Sequence, residues 1–187
     1  MPKQKTDFFG ALYDVARVVN ASLTPSQVLE QIVACTARSL NVKACSLRLL
    51  DKRRKRLLMG AQTGLSEGYI RKGPVLVKES GLDKKALKGE TLYLANAQTD
   101  PDWQYPEKAK AEGIRSVLVV PLMVEKKAIG VLRAYSATER HFEPDEIRFM
   151  EAVANLSAIA LENARLHQAL RRDYDLLVDH GYRLDDN

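Results

Sequence analysis

Two β-rich runs carry the side chains best suited to hold an anion. In Ala44 to Leu50, alternation places Ser46 and Arg48 on one face and Cys45, Leu47 and Leu49 on the other. In Ala128 to Ser136 it groups Val131, Arg133 and Tyr135, away from Leu132, Ala134 and Ser136. If the two runs are antiparallel neighbours, Ser46, Arg48, Arg133 and Tyr135 share one polar floor. Two guanidinium groups and a phenol suit a carboxylate or a phosphate, because arginine donates through a planar fork. The same arginines would equally serve to hold down overlying loops by pairing with an acid such as Asp100 or Asp102. Asp102 and Tyr69 fall in irregular segments and join the candidate ligand-binding set. Trp103, the only tryptophan, either walls a ligand pocket or closes the end of the core.

Other chemistries are less well supplied. Lys52, Arg53, Arg54, Lys55 and Arg56 are consecutive cations between two strand candidates. A solvated hairpin tip explains them, and contact with an acidic surface or nucleic acid is the alternative. No aromatic strand or zinc-ligand set accompanies them, so nucleic acid is not the favoured partner. Cys35 and Cys45 are too few for a disulfide scaffold and have no metal-site spacing. His141, His167 and His180 never stand four apart, so a metal pair on one helix is not expected. The glycines at 60, 64, 68 and 73 are too dispersed for a phosphate cradle.

The elements that must position these groups follow from periodicity. Phe8, Leu12, Val15, Ala16 and Val19 predict a helix from Asp7 to Asn20. Thr24-Pro25 reads as an N-cap with proline at the first helical position, opening a second helix to Leu40 after a turn at 21–24. Strands are expected at Ala44–Leu50, Arg56–Ala61 and Thr91–Leu94, with short helices at Leu82–Leu87 and Pro106–Ala111. Ser116–Val124 and Ala128–Ser136 flank a short polar turn and read as a hairpin. Pro121 within the first of them predicts an edge, a bulge or a break in the ladder. Phe142-Glu-Pro-Asp-Glu146 starts a long final helix, expected to run to near Asp179 with an apolar stripe beyond any compact domain. Such a projecting stripe calls for a partner, and a second copy is the simplest. Gly181 to Asn187 is expected to be a frayed polar tail.

The 187 residues, 45% hydrophobic and 28% charged with a net charge of +5, fit one globular domain with terminal helices. No signal segment and no bilayer-length apolar run is visible, so a cytoplasmic location is expected.

The stretch Gly113-Ile-Arg-Ser-Val-Leu-Val-Val-Pro-Leu122, a polar turn, Ile129-Gly-Val-Leu132 and then Phe142-Glu-Pro-Asp-Glu146 resembles the GAF domains, small sensory modules of signalling proteins. The resemblance covers roughly Thr24 to Ala164. It implies an α+β fold with a GAF/PAS-like central antiparallel sheet of five or six strands. Terminal helices would cover one face, and short helices and loops (64–80 and 96–113) would roof a pocket on the other. The expected division is an N-terminal helix at 1–22, the GAF-like domain at 23–164, and a helical extension with its tail at 165–187.

Compared with particular branches, the chain departs in informative ways. It has no Asn-Lys pair and only two residues between Phe142 and Asp145, unlike cyclic-nucleotide-binding members. Neither cysteine is followed by the histidine usual at a bilin attachment site. The resemblance therefore implies a stand-alone sensor of a small molecule, an anion by its arginines, acting through a homodimer or a signalling partner. It names no cofactor. Alternatives are a thiol-dependent reductase of a small oxidised substrate using Cys35 or Cys45, or a nucleic-acid-binding accessory protein using Lys52 to Arg56.

Overall fold

The first helix, α1 (Phe8–Val19), begins where the Asp7 carboxylate accepts the Gly10 amide at 2.9 Å. The computed structural model describes residues 6–20 and 24–184, with side chains as far as Val178. Of the turn expected at 21–24, only Thr24 lies within the described residues, and residues 185–187 of the expected tail lie outside them. The second helix, α2 (Pro25–Ser39), starts as its sequence dictates, with the Gln27 side-chain oxygen accepting the Thr24 amide at 3.0 Å.

The sheet has six strands: β1 (Ala44–Leu50), β2 (Arg56–Thr63), β3 (Val75–Leu76), β4 (Leu92–Leu94), β5 (Val117–Val124) and β6 (Lys127–Tyr135). They are antiparallel throughout, in the order β3-β2-β1-β6-β5-β4. Helices α3 (Glu67–Ile70), α4 (Gly81–Ala86) and α5 (Pro106–Glu112) lie in the connections, and α6 (Pro144–Leu184) closes the chain. The architecture is α+β, as the sequence pattern predicts.

Register, close approach and a proline together shape the middle of the sheet. β1 pairs with β6 so that Ser46 lies opposite Arg133 and Arg48 opposite Val131. At Gly130 the neighbouring strand comes so close that a Cβ would run into the Arg48 carbonyl oxygen. Pro121 lies beyond the last β4 pairing at Leu92–Val119, where a missing amide costs no ladder bond on that side, and the register shifts just after it, at Leu122/Met123.

α1, α2 and α6 cover one face of the sheet. Val15, Ile32, Val33, Leu47, Leu118, Leu132 and Val153 are fully buried there in one apolar core. Each such side chain contributes about 1.5–3 kcal/mol by leaving water. Val15 belongs to this core, so α1 packs as part of the same body as α2 and α6. α6 runs 41 residues and continues through Gly181 to Leu184, past the frayed tail expected from 181. The single glycine costs a helix only about 1 kcal/mol. Beyond Leu161 the helix leaves the core, and Leu166, Leu170, Tyr174 and Leu177 are exposed. Among the described residues no helix is long and apolar enough to cross a membrane.

Candidate functional site

The opposite face of the sheet is roofed by irregular chain, and here strand alternation puts charge inside. Arg48 from β1 and Arg133 from β6 point under the roof, each only 1% exposed. Val131 and Tyr135 share that face with Leu57, Tyr69, Val75, Trp103 and Val117 in a second core.

The roof supplies one acid. One guanidinium nitrogen of Arg133 donates to both carboxylate oxygens of Asp83, which is fully buried on α4. Ser80, the N-cap of that helix, donates its hydroxyl to Asp83 Oδ2 at 2.6 Å and accepts the Asp83 amide at 3.3 Å. The carboxylate is thus held by the same cap that starts the helix. Trp103 stacks against the pair, with its ring centroid 5.3 Å from Arg133 Cζ.

Lys72, in the turn after α3, closes the chamber. Its Nζ lies 3.7 Å above the Tyr69 ring, 4.8 Å from Tyr105 and 5.8 Å from Trp103. The Tyr69 edge meets Tyr135 at 6.3 Å, and the Tyr135 hydroxyl and Ser46 Oγ share a hydrogen bond of 2.8 Å. The space left among Lys72, Asp83, Trp103, Tyr105 and Arg133 is about 10 Å³, room for about one water.

That chamber is polar and under-paired. Among the described residues, Arg48 Nε and Nη2, Arg133 Nε, Tyr69 Oη, Trp103 Nε1 and Lys72 Nζ are buried without a hydrogen-bond partner. Arg48 reaches only the Leu57 carbonyl, at 3.5 Å, a marginal bond. An unsatisfied buried donor costs about 1–3 kcal/mol, and a buried ion several. Two guanidinium groups face a single carboxylate, so the chamber holds an excess of positive charge and of hydrogen-bond donors.

Electrostatics sharpens the imbalance. Burial, then repulsion from Arg133 and Arg48, pushes the Lys72 amine down to about 6. The carboxylates of Asp83 and Glu112 oppose that shift and do not outweigh it. Burial opposes the charge of Arg133, yet the Asp83 carboxylate outweighs it and holds the guanidinium protonated. Burial raises the Tyr69 phenol, which therefore stays a neutral donor.

Six of the residues singled out from sequence meet here: Ser46, Arg48, Tyr69, Trp103, Arg133 and Tyr135. Asp102 does not. Its side chain is 40% exposed and accepts from Lys85 Nζ at 2.9 Å, outside the chamber. The acid that anchors Arg133 is Asp83 rather than Asp100 or Asp102, because α4, packed on β4 and β5, brings Asp83 within reach of the Arg133 side chain. The pattern Ser80-x-x-Asp83 before an apolar pair marks a helix start and could have located Asp83. Nothing in the sequence distinguished Lys72 from the other lysines.

The remaining groups lie elsewhere. Cys45 and Cys35 belong to the helix-covered core, and burial raises the Cys45 thiol, so it is held as an unreactive thiol away from the chamber. Lys52 to Arg56 form the exposed end of the β1–β2 hairpin. Among the described residues no group of His, Cys, Asp and Glu is placed to hold a metal ion.

Comparison with known proteins converges on one family. A family model described as GAF domain matches residues 22–162. The formate hydrogenlyase transcriptional activator of Salmonella typhimurium is 24% identical over 186 residues, covering 97% of this chain and 27% of that protein. The chain therefore spans about a quarter of the length of that relative. The GAF domain of a phosphoenolpyruvate-protein phosphotransferase from Coxiella burnetii superposes with a TM-score of 0.77 at 23% identity, covering 87% of this chain and 97% of that one. Free methionine-R-sulfoxide reductase from Neisseria meningitidis, in complex with its substrate, superposes with a TM-score of 0.71 at 20% identity, covering 86% and 91%. At these identities the structural matches speak for the fold.

Proposed function

The chain belongs to the GAF domain family, and from that premise we propose that it is a sensory module whose roofed chamber captures a small anion. One observation carries the reading: buried donors on Arg48, Arg133, Tyr69, Trp103 and Lys72 lack partners, and Asp83 is the single acid among them. A compact carboxylate fits this demand, accepting from the free edges of both guanidinium groups and from the phenol. The 10 Å³ cavity requires the roof segments 64–80 and 96–113 to part before anything larger than water enters. Capture and release of the ligand are then coupled to loop order.

The output passes to α6. Leu166, Leu170 and Leu177 form an apolar seam on its projecting part, and Phe9 and Tyr13 of α1 are exposed as well, at 84% and 61%. A homodimer through these helices is the arrangement such a seam supports, with loop order biasing dimer geometry or a partner protein. The sensor and activator roles of relatives agree with a regulatory module. The two cysteines, facing the other core, give the reductase alternative no support.

Formate is the first probe, since the Salmonella relative is a formate hydrogenlyase transcriptional activator; acetate and inorganic phosphate extend the series. Isothermal titration of the full chain is expected to show one site per chain for a monocarboxylate. Arg48→Met is expected to lose at least about tenfold in affinity while keeping or gaining stability, because it removes an unpaired buried charge. Absence of binding by all three anions at millimolar concentration, or wild-type affinity in Arg48→Met, rejects the reading.

A further inference from the structure

The tertiary structure extends the basic run into something the sequence does not display. The β1–β2 tip is tied to the neighbouring β5–β6 tip by Arg54 Nη1 donating to the Ala128 carbonyl at 3.3 Å. The Val77 amide donates to the Lys55 carbonyl at 3.0 Å and fixes the segment after β3 to the same end. Exposed Lys126 and Lys127 therefore join Lys52 to Arg56 from one side, and exposed Lys78 and Lys84 join them from the other. Nine cations meet three acids there, an excess of six where the whole chain carries +5.

The three acids leave most of this charge uncompensated. Both the Lys55 and Arg56 amides donate to Asp51 Oδ1, at 2.7 and 3.1 Å, which commits that carboxylate to shaping the turn. Glu79 accepts from Gln104 at 2.8 Å and stands 3.7 Å from Lys78. Glu125 is exposed in the other turn. Among the described residues, none of the cations from 52 to 56, nor Lys84, Lys126 or Lys127, makes an ion pair. Turn geometry does not account for the composition either. Arg54 adopts φ 55°, a conformation that glycine or asparagine takes more easily.

A groove of about 570 Å³ runs into this end. Five cations, Arg54, Lys55, Arg56, Lys78 and Lys84, line it together with the partly buried Leu76 and Val77. Cations gathered around a pair of aliphatic residues suit a peptide-docking site, in which ionic contacts guide approach and one apolar side chain anchors.

We propose that this groove docks an acidic segment of a protein partner, with aspartate and glutamate side chains on its cations and one aliphatic residue against Leu76 and Val77. The chemistry favours a peptide over other polyanions. The groove is lined by no aromatic side chain on which a nucleic-acid base would stack. Its two apolar residues are partly buried, whereas binding to a bilayer surface needs apolar groups that protrude. The groove shares no lining residue with the chamber, so peptide binding and anion binding are read by separate measurements.

The test uses the full chain and a fluorescent peptide of alternating glutamate and aspartate around one central leucine, followed by anisotropy. Binding is expected at low salt, with Kd rising at least about tenfold as ionic strength passes from roughly 50 to 300 mM. Lys78→Glu combined with Lys84→Glu is expected to weaken it at least about tenfold, whereas the same reversal at Lys108 and Lys110 on α5 leaves it unchanged. Replacing the peptide's leucine by alanine, which leaves the protein untouched, is expected to cost about tenfold. Failure to bind at low salt overturns the proposal. So does equal loss from both pairs of charge reversals, indifference to the leucine, or tighter binding of a random DNA duplex or of vesicles rich in phosphatidylserine.

Discussion

The two faces of one sheet are built from the same strands by opposite rules. On the helix-covered face, Leu47 and Leu132 meet Ile32, Val33 and Val153 in an apolar core, and the buried hydroxyls of Thr36 and Ser157 donate back to their own helices. One residue along each strand, on the loop-covered face, Arg48 and Arg133 are equally buried but face a single carboxylate and a set of unpartnered donors. The first face stabilises the fold through burial that needs no ligand. The second accepts desolvated charge, and it does so under short helices and irregular chain. Burial by itself does not distinguish a core from a site; the state of the buried hydrogen-bonding groups does.

This contrast can be broken in a definite order. The largest effect is expected from Asp83→Ala, which leaves Arg133 buried beside Arg48 with no counter-charge. It should destabilise the chain by about 3–5 kcal/mol in urea unfolding, and a bound anion should restore part of the loss. A change below about 1 kcal/mol would mean that the roof opens freely and that Arg133 is not confined. Next comes Leu132→Ala on the opposite face, expected to cost about 2–5 kcal/mol through the lost methyl groups and the cavity left behind. Its anion affinity per folded molecule should be unchanged, so a large affinity loss would erase the separation between the two faces.

The most gradual effect, spread over several pH units, is a pH slope. An unfolded lysine titrates near 10.4, whereas burial and two guanidinium groups push Lys72 down to about 6. Between those values the unfolded chain holds a proton that the folded one lacks, so this group makes stability rise with pH. Its contribution is complete above the unfolded value and has been lost once pH falls through about 6. The urea midpoint difference between the wild type and Lys72→Met should therefore tilt across roughly pH 6 to 9. A saturating anion, by favouring the charged amine, should flatten the tilt. A parallel pair of midpoint curves would place Lys72 in solvent.

Much of this was legible before folding, for reasons that particular residues make plain. Apolar spacing in α1, α2 and α6, Thr24-Pro25 and Pro144 at helix starts, and the polar turn between β5 and β6 encode local structure through short-range sterics and capping. Period-two alternation likewise assigned Arg48 and Arg133 to one face of their strands, since a one-residue slip would expose the leucines beside them. These local rules settled the elements and the face each arginine takes on its own strand; the floor they share rested on taking β1 and β6 as neighbours, a pairing the register supplies. Three things belonged to tertiary structure alone: the choice of Asp83 over Asp102 as the anchor of Arg133, the placing of Lys72 over Tyr69 and Tyr105, and the meeting of Lys78, Lys84 and Lys126 with the run at 52–56. Each depends on where a loop lands on the sheet, and loop paths are fixed by contacts between residues far apart in sequence, which no local pattern records.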